Sequence, residues 1–185
     1  KFGNKVKYWQ LINEQNLMIR VDERMNIQEP DPWKADRIRA QMDYHMFLAH
    51  ALAARACHEL IKDGKAGPAV SSTCTYPLTN KPQDVWAAKM NDCMKTVYCL
   101  DMHYYGKYPG YYMRYLKERN IVPAMEEGDE EILKAGRMDY IALNYYRTLC
   151  ASYLPADEEH PAGMRVFRGN EVDFDQYGYC RDEKN

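Results

Sequence analysis

Residues 6–16 read Val6-Lys7-Tyr8-Trp9-Gln10-Leu11-Ile12-Asn13-Glu14-Gln15-Asn16. The β-branched and aromatic residues of the first half form a short, nearly continuous apolar run, which favours a strand buried on both faces of a parallel sheet. Glu14 follows at the carboxyl end of this strand. In barrels of alternating strands and helices the chemistry lies at that end, so Glu14 is a candidate acid or base. The alternative is a solvated loop residue.

A second segment repeats this arrangement. The run 138–146 predicts another buried strand that delivers polar groups at its end. Because the carboxyl ends of parallel strands lie at one rim, we expect these polar groups to lie within reach of Asn13 and Glu14.

Between these segments the sequence predicts helices and one more strand. The clearest helix begins near Asp36 and ends at Asp63-Gly64, because apolar residues recur at spacings of three and four. Its predicted buried stripe consists of Ile38, Met42, Met46, Ala49, Ala53, Ala56 and Leu60. The run 69–75 predicts a strand, with Pro68 at or before its start, since proline cannot donate to a central ladder. Further helices are predicted at 83–100, 111–118 and 130–135, and loops at 17–35 and 147–185.

Composition limits the class of protein. With 185 residues, 46% hydrophobic and 28% charged, the chain can bury a core, and one domain is predicted. A formal net charge of -2 gives no electrostatic reason to expect nucleic acid or an anionic membrane as partner, whereas neutral or phosphorylated small molecules are compatible with it. No apolar run approaches the ~20 residues of a membrane span, so no membrane association is expected.

The cysteines and histidines predict neither a disulfide framework nor a metal site. The six cysteines include no C-x-x-C pair and favour reduced thiols in a cytoplasmic protein, most simply as small buried residues. On the long helix, His45, His50 and His58 do not have the i, i+4 spacing of a helical metal site. We therefore expect packed or surface histidines and no metal site on this helix.

The segment Tyr8-Trp9-Gln10-Leu11-Ile12-Asn13-Glu14 resembles the Y-W-x-T-F-N-E segment of the family 1 glycoside hydrolases. The resemblance implies that Glu14 is the catalytic acid/base and that Asn13 binds the sugar 2-hydroxyl. The sequence Asn13-Glu14-Gln15-Asn16 is similar to the N-E-x-N of the 6-phospho-β-glucosidase branch, and residues 76–84 resemble its Y-P-L-T-x-x-P-x-D stretch.

Residues 139–146 are similar to the D-F-I-G-x-N-Y-Y strand of the same family. By this match Asn144 helps to shape the sugar site, and Tyr146 donates a hydrogen bond to the nucleophilic carboxylate. The chain departs from the family pattern where Tyr105 replaces an Arg of the D-x-x-x-R-G-x-Y-P element and Ala142 replaces a glycine. In addition, residues 177–182 resemble W-G-W-x-x-D, with tyrosines in place of both tryptophans.

The resemblance implies an α/β fold, a partial (β/α)8 TIM barrel in which residues 1–185 form a single fragment with about strands 4 to 6. A closed barrel needs at least ~200 residues, and three strands with their helices would leave sheet edges and apolar faces uncovered. We therefore expect the fragment to self-associate or to belong to a larger assembly.

The implied activity is that of a retaining β-glycosidase acting on a β-glucoside, 6-phosphorylated in the branch that the chain resembles. Such enzymes need two carboxyl groups ~5 Å apart. The nucleophile of the family lies in a T-E-N-G-type motif, which these residues lack, so the 185-residue piece alone is expected to be inactive. Two alternatives are a non-catalytic sugar-binding or interaction module with the same scaffold, and an α/β fragment whose matches only preserve packing.

Overall fold

The computed structural model describes residue 2 and residues 5–20, 25–156, 162–168, 173–174 and 180–181. Within these residues the strands are β1 (Tyr8–Asn13), β2 (Lys65–Pro77), β3 (Ala142–Leu154), β4 (Gly163–Arg168), β5 (Asp173–Phe174) and β6 (Cys180–Arg181). The helices are α1 (Gln15–Met18), α2 (Pro32–Leu60), α3 (Pro82–Asp92), α4 (Tyr98–Tyr105), α5 (Gly110–Glu118) and α6 (Asp129–Ala135). A π-helical turn, Cys93–Val97, joins α3 to α4. Helical segments separate β1, β2 and β3, as predicted.

The strands β1 to β4 form one sheet in that order, and β5 pairs with β6 in a second sheet. Strands β1 and β2 are parallel, with Tyr8 opposite Lys65 and Asn13 opposite Ala69. Strands β3 and β4 are antiparallel. The parallel pairing of β1 with β2 fixes which residues of β2 lie beside the carboxyl end of β1.

Pro68 lies inside β2, so the prediction that it stands at or before the start of the strand is wrong. Gln10 pairs with Gly67 and Asn13 with Ala69, and the register shifts between these two positions. Pro68 is therefore opposite the irregular part of β1, where a strand tolerates a residue without an amide hydrogen.

The chain divides into two compact units. The first comprises Lys1–Ser71 and Thr96–Asn144, and the second comprises Ser72–Lys95 and Tyr145–Asn185. The prediction that residues 1–185 form one fragment of a single domain stays a prediction.

Each unit has its own packed residues. In the first, α2 packs against α6 and β1, and the side chains of Phe47, Tyr98 and Met102 are almost completely buried. In the second, the clusters consist of Leu78 and Cys150 with Phe167, and of Ala87, Ala88 and Ala151 with Val166.

Helix α2 begins earlier than predicted. The carboxylate of Asp31 accepts hydrogen bonds from the amides of Trp33 and Lys34, and Pro32 occupies the first helical position, where its missing amide hydrogen costs nothing. The helix therefore starts at Pro32 rather than near Asp36. The predicted loop 17–35 is wrong for residues 32–35 and for Leu17 and Met18, which belong to α1.

The predicted buried stripe of α2 is also wrong. Ile38 and Leu60 belong to that stripe but are 40% and 82% exposed. The buried residues of the helix are Ala35, Asp43, Tyr44, Phe47, His50, Ala51, Ala54 and Cys57. These also recur at spacings of three and four, but two of them are polar, so a search for apolar periodicity selected a neighbouring face.

The two strands predicted to be buried on both faces are largely uncovered. Strand β1 is confirmed as a strand, but Tyr8 is 68% exposed. Strand β3 starts at Ala142 and continues to Leu154, and β4 follows, so the predicted loop 147–185 is wrong for these residues. Strand β1 and the start of β3, residues 142–146, are buried only when further elements cover the sheet, whereas Cys150 and Ala151 of β3 are already buried.

Cys57, Cys74 and Cys99 are free thiols, as predicted, but Cys150 is disulfide-bonded, so the prediction of reduced thiols is wrong for this residue. Cysteine spacing does not indicate such a bond, because it depends on which thiols the fold brings together.

No described helix is long and apolar enough to cross a membrane. The described residues also contain no group of three or more potential metal ligands. Tyr177 and Tyr179 lie outside the described residues.

Candidate active site

The turn after β1 places Asn13 and Glu14 at the carboxyl end of the strand. Glu14 adopts a left-handed backbone conformation, with φ 51° and ψ 41°. Its amide donates to the carbonyl of Ala69 on β2 at 2.7 Å, and its carbonyl accepts from the amides of Leu17 and Met18 at 3.0 and 2.9 Å. A left-handed conformation is strained for a residue with a Cβ atom, and such residues concentrate at functional sites.

The two residues after Glu14 form hydrogen bonds that connect this turn to β2 and α2. The side-chain amide of Asn16 donates to the carbonyl of Ser71 at 2.8 Å, and its oxygen accepts from the amide of Ser71 at 3.0 Å. The amide of Gln15 donates to Asp43 of α2, at 2.6 Å to the carboxyl and 3.0 Å to the backbone carbonyl. Both side chains are buried, so the position of Glu14 is fixed by β2 and α2.

Asn144 joins the carboxyl group of Glu14 to Asn13. Its side-chain amide donates to Oε1 of Glu14 at 3.0 Å and to Oδ1 of Asn13 at 3.1 Å. The amide of Gln10 also donates to Oδ1 of Asn13, at 3.2 Å. The structure thus brings together Asn13, Glu14 and Asn144, although Asn13 and Asn144 are 131 residues apart in sequence.

The geometry suits proton exchange with a ligand. No other described residue forms a hydrogen bond with the carboxyl group of Glu14, so Oε2 is available to a substrate. The amides around it supply donors and acceptors for hydroxyl groups. A half-buried carboxyl group oriented by an amide is suited to general acid/base catalysis.

Tyr146 is not part of this hydrogen-bonded group. It lies on the portion of β3 that belongs to the second unit, and its side chain is 80% exposed. Its hydroxyl forms no hydrogen bond with a described residue, so its role stays a prediction.

Sequence reasoning missed Asp43 beneath the turn. Burial raises the pKa of Asp43 to about 7, although the hydrogen bond from Gln15, the hydroxyl of Tyr98 and the charge of Arg20 act in the opposite direction. The sequence could have indicated its role, because Asp43 has the spacing that places it on the same face of α2 as Phe47 and Ala54. A polar residue on a buried face requires a hydrogen-bond partner.

The stretch 76–84 has a structural role in the second unit. The carboxylate of Asp84 accepts hydrogen bonds from the hydroxyls of Thr79 and Ser152 at 2.6 and 2.7 Å and from the amide of Tyr153 at 2.9 Å. Burial raises the pKa of Asp84, but these hydrogen bonds outweigh it and leave the pKa below its ordinary value. Asp84 therefore connects the start of α3 to β3 as an ionised acceptor.

Comparison with known proteins identifies the family of this chain. The model of glycosyl hydrolase family 1 matches residues 1–176. The aryl-phospho-beta-D-glucosidase BglH of Bacillus subtilis is 41% identical over 159 residues, which are 85% of this chain and 34% of the relative. The 6-phospho-beta-glucosidase AscB of Escherichia coli is 32% identical over 152 residues, 82% of this chain and 32% of that protein. The chain thus spans about a third of the length of these relatives.

Solved structures agree on the fold. The family 1 β-glucosidase from Thermotoga maritima matches with a TM-score of 0.71 at 21% identity, over 96% of this chain and 38% of that one. The AHE enzyme from Alicyclobacillus herbarius matches with a TM-score of 0.68 at 19% identity, over 94% and 38%. The predicted fold class, an α/β part of a (β/α)8 barrel, is confirmed.

Proposed function

Because the chain belongs to glycosyl hydrolase family 1, we propose that it is part of a retaining β-glycosidase in which Glu14 is the general acid/base. The observation that carries the proposal is the hydrogen-bonded group of Asn13, Glu14 and Asn144 at the carboxyl end of β1. Asn144 is far from Asn13 and Glu14 in sequence, so the fold brings the three side chains together. Such a group is what a general acid/base beside sugar-binding amides requires.

In the proposed mechanism Glu14 protonates the glycosidic oxygen while a second carboxylate attacks the anomeric carbon, so that the bond to the aglycone breaks and a covalent glycosyl-enzyme forms. Glu14 then removes a proton from an incoming water, whose oxygen attacks the anomeric carbon and releases the second carboxylate. Asn13 holds the 2-hydroxyl of the sugar, a contact that strengthens in the transition state. Asn144 keeps the carboxyl group of Glu14 in position, and Tyr146 orients the nucleophile. The nucleophile is expected outside residues 1–185.

The proposed substrate is a β-glucoside carrying a 6-phosphate. The names of the relatives support this choice, since BglH is an aryl-phospho-beta-D-glucosidase and AscB a 6-phospho-beta-glucosidase. The proposed reaction requires no metal and no organic cofactor. The cytoplasmic location and the absence of nucleic-acid and membrane partners stay predictions.

The test requires a complete barrel, obtained by joining residues 1–185 to the remaining strands of the Bacillus subtilis relative. This protein should hydrolyse p-nitrophenyl β-D-glucoside 6-phosphate. Glu14→Gln should lower kcat/KM for a poor leaving group by at least ~1000-fold, as expected for loss of acid/base catalysis. For a substrate with a dinitrophenyl leaving group, which departs without protonation, Glu14→Gln should slow the formation of the glycosyl-enzyme much less.

Azide should partly restore turnover of the Glu14→Gln protein with the activated substrate, because it attacks the glycosyl-enzyme without base assistance. Glu118→Gln, on the exposed face of α5, is the matched control and should leave the kinetics unchanged. Equal losses for both leaving groups would contradict the acid/base role. An inactive barrel that binds the phosphorylated glucoside would favour the sugar-binding module.

A further inference from the structure

The side chain of Gln15, the residue directly after Glu14, connects the turn to the middle of α2. Its amide donates to the carboxyl group of Asp43 at 2.6 Å and to the backbone carbonyl of the same residue at 3.0 Å. Gln15 and Asp43 are 2% and 1% exposed. Because both side chains are shielded from water, loss of either partner leaves the other buried without this hydrogen bond.

The backbone at Glu14 depends on such tertiary contacts. Its φ of 51° lies in the left-handed region, which is unfavourable for a residue with a Cβ atom. The helix that follows, α1, has only four residues, and a helix of this length is not stable by itself. The direction of the Glu14 side chain is therefore determined by what the neighbouring residues bind rather than by the local sequence.

Two different elements hold the turn. Asn16 exchanges two hydrogen bonds with the backbone of Ser71 on β2, at 2.8 and 3.0 Å. Gln15 binds α2 through Asp43. A contact with β2 alone would leave the turn free to rotate about that contact, whereas contacts with two elements fix its orientation. The bond to Asp43 thus supplies a restraint that β2 does not provide.

The orientation of the turn matters for the reaction proposed for Glu14. Transfer of a proton to the glycosidic oxygen requires a separation of ~2.6–3.2 Å between the two oxygens. A displacement of ~1 Å in a catalytic group lowers the rate by up to ~100-fold. Asn144 binds only Oε1 of Glu14 among the described residues, at 3.0 Å, so the position of the whole carboxyl group also depends on its backbone.

We propose that Asp43 is a positioning residue for the acid/base: through Gln15 it holds the backbone of Glu14 in the orientation from which its carboxyl group protonates the leaving group. The inference rests on the proposed function, because it assigns Asp43 a part in that reaction. Burial raises the pKa of Asp43 to about 7. A carboxyl oxygen accepts a hydrogen bond in either protonation state, and so does the side-chain oxygen of asparagine.

The complete barrel described above tests this role with the phenyl and dinitrophenyl β-D-glucoside 6-phosphates. For both substrates kcat/KM reports the formation of the glycosyl-enzyme, but only the phenyl group requires protonation to leave. Asp43→Ala should lower kcat/KM at least ~10-fold for the phenyl glycoside and less than ~3-fold for the dinitrophenyl glycoside. Asp43→Asn, which keeps the accepting oxygen, should restore most of the loss.

Gln15→Met gives a second variant, because methionine is similar in size to glutamine but donates no hydrogen bond. It should show the same selective loss. The double variant Asp43→Ala/Gln15→Met should lose no more than either single variant, since all three lack the same hydrogen bond. Phe47→Leu is the control. Phe47 is a buried residue one turn further along α2 that packs against the ring of His103, so its replacement should lower stability without changing the ratio of the two kcat/KM values.

Glu14→Gln in the same barrel separates this inference from the proposed function. If Glu14→Gln shows the selective loss but Asp43→Ala and Gln15→Met do not, the acid/base role stands and the positioning role is overturned. An Asp43→Asn protein as impaired as Asp43→Ala, or a Phe47→Leu protein with the same selective loss, would also overturn it. If Glu14→Gln itself shows no selectivity, the proposed function fails and the positioning role fails with it.

Discussion

Glu14 combines a chemically useful side chain with an unfavourable backbone conformation. Its φ of 51° lies in the left-handed region, which costs a residue with a Cβ atom about 1–2 kcal/mol. The hydrogen bond to Ala69 and those made by Gln15 and Asn16 hold the turn in place. The local sequence is therefore less stable than it could be, as is common where position serves function.

Replacing Glu14 by glycine should relieve this strain. We expect the Glu14→Gly protein to be about 1 kcal/mol more stable than Glu14→Ala, because both lack the carboxyl group but only glycine adopts positive φ without strain. Urea denaturation followed by circular dichroism measures the difference. Asp63, exposed with φ 59°, provides the control pair Asp63→Gly and Asp63→Ala, which should show a similar difference. Equal stability of the two Glu14 variants would contradict the strain.

Asp43 makes stability depend on pH in an unusual direction. Its folded-state pKa of about 7 exceeds the ordinary value of 3.8, so between these values the folded chain binds more protons than the unfolded chain. Stability therefore contains a contribution that is lost as pH rises from about 4 to about 7. Asp43→Asn keeps an oxygen that accepts the hydrogen bond from Gln15 but cannot ionise.

The difference between the two proteins isolates this effect. The urea midpoint of the Asp43→Asn protein should exceed that of the wild type at pH 8, and the difference should shrink towards pH 4. Burial lowers the pKa of His50 to about 4, which destabilises the fold in acid, but His50 is present in both proteins and its contribution cancels. A constant difference across the range would show that Asp43 does not titrate there.

At the scale of elements, α2 shows how buried polar groups mislead a search for apolar periodicity. The buried face contains Asp43 and His50, whereas the predicted face ended in the exposed Leu60. We expect Phe47→Ala to lower the free energy of unfolding by about 3–5 kcal/mol, because Phe47 is almost completely buried. Leu60→Ala, on the predicted face, should change it by less than about 0.5 kcal/mol. Chemical denaturation of both variants decides between the two faces.

The elements also show what local sequence can specify. Strand β1, the existence of helix α2 and the start of the polar turn could be predicted, because apolar runs and helical periodicity act over a few residues. The cap formed by Asp31 and Pro32 was not recognised, so the predicted start of α2 was too late. The approach of Asn144 to Glu14 was expected from the family resemblance together with strand ends that meet at one rim. The extension of β3 to Leu154, the place of Pro68 within β2 and the disulfide of Cys150 depend on distant partners, so local patterns did not indicate them.

At the scale of the molecule, the sheet has exposed residues, as expected for a chain that covers only part of the length of a related barrel. The residues span 38% of a related solved structure, and β1 is an edge strand of the described sheet. The first unit exposes four large apolar residues near the start of β1 and of β3: Val6, Tyr8, Ile141 and Leu143. In a closed barrel of alternating strands, inner and outer faces of the sheet are both covered.

The exposed edge and apolar side chains predict that the 185-residue chain self-associates. An unpaired strand edge with apolar neighbours is a template for pairing with another chain. Sedimentation velocity between about 5 and 100 μM should show a rising sedimentation coefficient. Tyr8→Lys and Leu143→Lys should each shift the distribution towards the monomer, because a charged side chain opposes association of the sheet surface. Leu60→Lys, which replaces a leucine on α2 that is more exposed than Leu143, is the control and should leave the distribution unchanged. A chain that stays monomeric at 100 μM, or an equal effect of Leu60→Lys, would show that the uncovered sheet does not drive association.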